Sequence, residues 1–225
     1  MLRLTALLLL AVPAFAATPD AGARPRVAVL YFDVSTTDAD LAAFSKGLAA
    51  LLITDFTANP GLLVLEREKL EDALKELEFG QTKYANKATF AKLGKVLGVE
   101  YLVIGHLMCV AKTQCLIASR VVSFPALEEV ASSKVKLDPN DVYAAEEQMV
   151  KELSQKLVAL GSIASYAPPE KRNFKLTMAT GVKYARALDA KDKKNPAEAK
   201  KLLAEVVKDQ PDFKLAQLDL LSLRD

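Results

Sequence analysis

Residues 26–34, RVAVLYFDV, are almost continuously apolar, β-branched and aromatic. A run of that kind suits a strand covered on both faces. STTD then offers N-cap oxygens, and Leu41, Phe44, Leu48, Leu51, Leu52 and Phe56 recur at helical spacing. Asn59-Pro60-Gly61 stops that helix, and LLVLE makes a second short strand. A strand–helix–strand unit of this length predicts a parallel pair. The following helix places Leu70, Ala73, Leu74 and Leu77 on one face, with Glu68, Glu71 and Asp72 in its first turns and Gly80 as its stop. Another runs from about residue 87 to 97, with Phe90, Leu93, Val96 and Leu97 facing inward and Gly98 closing it.

Further on the period changes to that of strands. Residues 100–110, 115–124 and 127–137 read as an antiparallel meander. DPND marks a helix start, with Pro139 where its missing N–H costs least. Val142, Ala145, Met149, Leu153, Leu157 and Leu160 form the buried stripe of that helix, and Gly161 ends it. SIASYAPPEK, residues 162–171, reads as a domain boundary, and only helical patterns follow. The first spans about 173–190. The second opens on Asn195-Pro196, an N-cap with proline at N1, and carries Ala199, Leu202, Leu203 and Val206. DQPDF breaks it before a third. The predicted fold class is α/β (α+β): a mixed sheet of about five strands with a parallel βαβ start and an antiparallel meander, flanked by helices, plus a small all-helical C-terminal segment.

The first residues change the picture of where the chain works. MLRLTALLLLAVPAFAATPD has a basic start at Arg3, a short apolar run, and Ala-Phe-Ala before Ala17. This is the layout of a secretory signal peptide cut between Ala16 and Ala17. The apolar run is too short to span a bilayer, and no later stretch is long and apolar enough. No cysteine lies near the cut, so a lipid anchor there is not expected. The expected organisation is a signal peptide over 1–16, a leader over 17–25, an α/β domain over 26–161, a linker over 162–171 and a helical segment over 172–225. The expected compartment is the periplasm.

Charge excludes one class of partner. With 30 basic and 28 acidic residues the net charge is +2, which gives no reason to expect nucleic acid. Cys109 and Cys115 flank VAKTQ. In an oxidising compartment they would close a disulfide across a hairpin turn, worth on the order of 2 kcal/mol for so small a loop; otherwise they stay reduced and buried. The spacing is not the C-x-x-C of a redox enzyme.

RVAVLYFD, VLEREKLEDALKELEFG and LGKVLGVEYLVIGHL, in that order, resemble the CsgG family of curli production and assembly proteins. They are also similar to the related TolB N-terminal fold and to outer-membrane activators of penicillin-binding proteins. The resemblance covers residues 26–161. It implies an envelope domain that works through protein contacts, and in the pore-forming archetype a homo-oligomer. This chain lacks that archetype's lipidated cysteine, and its strand connections look too short for membrane-spanning insertions. The tail, from VKYARALDA through NPAEAKKLL to PDFKLAQL, is similar to a tetratricopeptide helix pair. Fewer than three such repeats seldom stand alone, so packing against the first domain or a partner is expected.

Candidate chemistry is sparse. His106, the only histidine, has no acid or cysteine at a spacing that completes a site, and a satisfied structural histidine is the expectation. Gly94-Lys95-Val96-Leu97-Gly98 lacks the preceding strand of a phosphate loop, and capping with close packing is the simpler reading. No catalytic, cofactor-binding or metal-ligating residue is assigned, and no cofactor is expected. Glu66-Arg67, at a strand-to-helix corner, reads as a structural joint, because the arginine fork holds carboxylates and carbonyls together. Three functions remain in play. The leading one is a non-enzymatic periplasmic interaction protein with an envelope protein partner. The second is an oligomeric subunit of an outer-membrane transport complex, and the third is a hydrolase or redox enzyme.

Overall fold

The computed structural model describes residues 24–34, 38–77, 87–111 and 114–223. The expected signal peptide, the Ala16–Ala17 cut, residues 17–23 of the leader and the Gly80 stop lie outside them. Six strands form one sheet: β1 (Arg26–Val29), β2 (Asp33–Val34), β3 (Leu63–Val64), β4 (Tyr101–Ala111), β5 (Gln114–Ser123) and β6 (Glu129–Leu137). Their order is β3-β1-β4-β5-β6, with β2 also on β4. β1 is parallel to both β3 and β4, whereas β4, β5 and β6 are antiparallel. The mixed sheet predicted from periodicity is therefore present.

The apolar run at 26–34 is interrupted rather than continuous. Leu30 N–H still donates to Val103 O at 2.9 Å, and the chain rejoins β4 only at the Asp33–His106 pair. Phe32 turns onto β4 in between. A Cβ at position 105 would come 2.0 Å from Phe32 Cε1, so the ring takes the space that Gly105 leaves open.

Among the described residues there are seven helices: α1 (Ala39–Thr57), α2 (Arg67–Glu76), α3 (Lys87–Leu97), α4 (Val142–Ala159), α5 (Met178–Asp192), α6 (Pro196–Asp209) and α7 (Lys214–Ser222). Asp38 caps α1 by accepting from the Asp40 and Leu41 N–H groups. Phe44, Leu48, Leu51, Leu52 and Phe56 bury the predicted face of α1. Two inward positions are corrected: Val96 is 47% exposed and Leu160 is 57% exposed. Val96 lies in the last turn of α3 and Leu160 just past the end of α4, and the apolar period continues there while the covering surface does not. α4 begins at Val142, capped by Asp141, so Pro139 precedes the helix and uses its carbonyl to accept Met178 N–H at 2.7 Å.

The first tail helix also starts later than its pattern suggests, at Met178 with Thr177 as cap. Residues before it run as an extended strap back along the domain. Leu176 is fully buried in that strap, and its carbonyl accepts Val142 N–H at 2.8 Å. The tail docks on α1. A Cβ on Gly47 would lie 3.0 Å from Ala185 Cβ, and one on Gly181 would lie 2.7 Å from Phe44. Missing side chains thus let the two helices approach closely. Phe213 sits between Tyr184 and Tyr143, with ring centroids 4.9 and 6.1 Å away, and so joins the tail's core to α4.

Candidate functional site

The strand-to-helix corner divides its two residues sharply. Glu66 is the extended residue before α2, makes no capping bond with its side chain, and faces Lys69 at 3.4 Å on the surface. Arg67 is the first residue of α2 and is 5% exposed. Its Nη1 donates to both oxygens of Asp192, at 2.8 and 2.7 Å, and Nη2 donates to Glu68 at 3.0 Å. Burial opposes the arginine's charge, but the Asp192 carboxylate outweighs it and holds the guanidinium protonated. Lys46 of α1 reaches the same carboxylate at 2.8 Å. Tyr31 donates to Glu71 at 2.6 Å, and burial together with that acid pushes its hydroxyl pKa up. Lys191 and Tyr184 both reach Asp219 of α7, at 3.0 and 2.7 Å. The corner is therefore one pole of an ionic network whose other pole is the helical tail.

A second cluster, around Arg172 in the strap, was not anticipated. Arg172 bonds Asp55 with both nitrogens, meets Glu147 at 3.1 Å and Glu146 at 3.4 Å, and lies 3.9 Å over the Tyr143 ring. Asp55 is 2% exposed and Glu146 fully buried. Burial, then the neighbouring Asp55 carboxylate, pushes the Glu146 pKa well above the ordinary range, and its Oε1 has no hydrogen-bond partner. A signal was available in the sequence, since Asp55 and Glu146 stand on the buried faces of α1 and α4. A cleft of about 510 Å³ opens beside this cluster, lined by Tyr143, Arg172, Phe174 and Leu215 among others.

The sheet carries the remaining candidates. His106 on β4 lies with Nδ1 3.6 Å from Asp33, its register neighbour on β2, in a shallow cleft of about 600 Å³ with Arg120 and Lys134. Among the described residues no group of three histidine, cysteine or acidic side chains could hold a metal ion. Cys109 and Cys115 face each other across β4 and β5 and are joined in a disulfide. On either side of Cys109, Met108 and Val110 are exposed, Val110 at 91%. Gly94 packs under Phe124, where a Cβ would come 2.5 Å from the ring, and Gly98 closes α3 with φ +59°. No helix among the described residues is long and apolar enough to cross a membrane.

Comparison with known families bears out the resemblance. Residues 11–113 match the model for the curli production assembly/transport component CsgG, which takes the chain from before β1 to the β4–β5 turn. The chain is CsgG-like over that stretch; β5, β6, α4 and the tail lie beyond it. No curated protein matches. Among solved structures the chain is similar to the LpoB C-terminal domain from Salmonella enterica, at 12% identity over 52% of this chain and 84% of that one, TM-score 0.38. It is similar to lipoprotein GNA1162 from Neisseria meningitidis, at 17% identity over 51% and 80%, TM-score 0.37. TolB from Acinetobacter baumannii is a third, at 13% identity over 61% and 29%, TM-score 0.41.

Proposed function

We propose that the chain is an exported, periplasmic, non-enzymatic interaction protein that acts in envelope assembly or secretion by contacting an envelope protein. The observation that carries this reading is the match of residues 11–113 to an assembly/transport family model. The site chemistry agrees with it. Arg67 and Arg172, the two convergent ionic centres, are occupied in tying helices together. In this reading residues 1–16 are removed before Ala17, residues 26–161 form the interaction domain, and residues 172–225 form a tetratricopeptide-like tail, with Arg67 as the joint between them.

Light scattering on the secreted form, without detergent, tests it together with N-terminal sequencing. A monomer or dimer beginning at Ala17 and recovered from the periplasmic fraction is expected. A ring-sized assembly would favour the oligomeric subunit of an outer-membrane transport complex, and an uncut N-terminus would remove the export reading.

A further inference from the structure

Helix α6 sorts its charges by direction. Ala199, Leu203 and Val206 are buried against the tail. Its three acids, Glu198, Glu205 and Asp209, fall within about 40° of arc, and the last two reach Lys183 of α5, at 3.5 and 2.7 Å. At 100° per residue, Lys200, Lys201 and Lys208 fall within about 100° of arc together with Ala197 and Ala204, roughly opposite the buried stripe. All five are exposed. Lys194, in the turn before the helix, is exposed as well. Lys193 beside it is neutralised by Asp189 at 2.6 Å. Among the described residues Lys194, Lys200, Lys201 and Lys208 form no ion pair. The crest of α6 is thus a strip of uncompensated ammonium groups separated by methyl-sized side chains, about 12 Å long from Lys200 to Lys208.

We infer that this crest adsorbs electrostatically to an anionic lipid surface. The residue types choose between the two obvious acidic partners. Protein interfaces concentrate their energy in arginine, tyrosine and tryptophan anchors set in pockets, and lysine is depleted there. The crest has no aromatic and no arginine. Hydrated point charges on flexible stems with no apolar anchor instead match a plane of diffuse negative charge, where each lysine contributes independently. Such adsorption is weak, reversible and screened by salt, and it is not anchoring. The inference goes beyond the interaction reading above and holds whatever the oligomeric state.

The test is flotation of the full chain with phosphatidylcholine vesicles, with and without phosphatidylglycerol, across a salt series. Binding is expected only with phosphatidylglycerol and should vanish as salt rises. Replacing Lys194, Lys200, Lys201 and Lys208 together by Gln should weaken binding by roughly 600-fold, about five-fold per lysine. The matching Lys→Arg variant should bind like the parent, and unchanged thermal unfolding of both variants separates charge from folding. Equal binding by the Gln variant, equal binding to neutral vesicles, or no binding at all overturns the proposal. Lysine-dependent binding to polyaspartate without binding to vesicles would overturn it in favour of an acidic polypeptide.

Discussion

Arg67 and Arg172 both fasten the C-terminal third of the chain to the sheet domain, but the charges around them are matched differently. Arg67 spreads its fork over two carboxylates, Asp192 and Glu68, each of which a lysine also reaches, Lys46 at 2.8 Å and Lys191 at 3.3 Å. Arg172 faces three acids, Asp55, Glu146 and Glu147. The first set closes with every charge answered. The second is crowded with acid, and burial beside Asp55 raises the Glu146 pKa well above its ordinary value. A buried cation is therefore not one kind of joint: the number of anions it faces decides whether the joint also responds to pH.

The comparison can be broken most directly at the arginines. Arg172→Met should cost about 3–5 kcal/mol, because it strands Asp55, whose side chain is 2% exposed. Arg67→Met should cost less, about 2 kcal/mol, since Lys46 still reaches Asp192 at 2.8 Å. Urea unfolding measures both, and equal losses would show that the two joints do not differ.

A smaller effect sharpens the pH side. The Glu146 carboxyl is raised in the folded chain from its ordinary value of 4.5. Its contribution is fully present below that value and is lost as pH climbs toward the raised one. In Glu146→Gln this loss is absent. The variant should match the parent in acid and gain on it steadily as pH rises from about 4.5. A difference in stability that stays flat with pH would remove the responsive joint.

The smallest expected effect lies beside Arg67. Glu66→Ala should change stability by less than about 0.5 kcal/mol, because its pair with Lys69 lies in solvent. A loss comparable to that of Arg67→Met would mean that the two adjacent residues act as a unit.

Much of this architecture was legible in the spacing of apolar residues. The strands at 101–111, 114–123 and 129–137 lie within two residues of their patterns, and Asn195-Pro196 opens α6 as expected. Period reports which side of an element is apolar, and that is enough where a neighbour covers the whole length. It fails where cover runs out, as at Val96 and Leu160. It also fails at the strap, where Leu176 is buried by tertiary contact rather than helical register. The corner Arg67 could be picked out as a holder of carboxylates, but its anion stands 125 residues away, and local pattern has no reach over that distance. Asp55 and Glu146 were visible as acids on apolar faces, yet nothing in their vicinity points to Arg172.

That separation also has a consequence in time. During synthesis Arg67 is made long before Asp192, and Asp55 is made 117 residues before Arg172. A nascent chain that has completed its sheet still carries charges whose counterparts have not been joined to it. Burying them unpaired would be costly at that stage, so full closure of the sheet domain depends on the last third of its own sequence. Any machinery that handles the chain before completion meets that unfinished form.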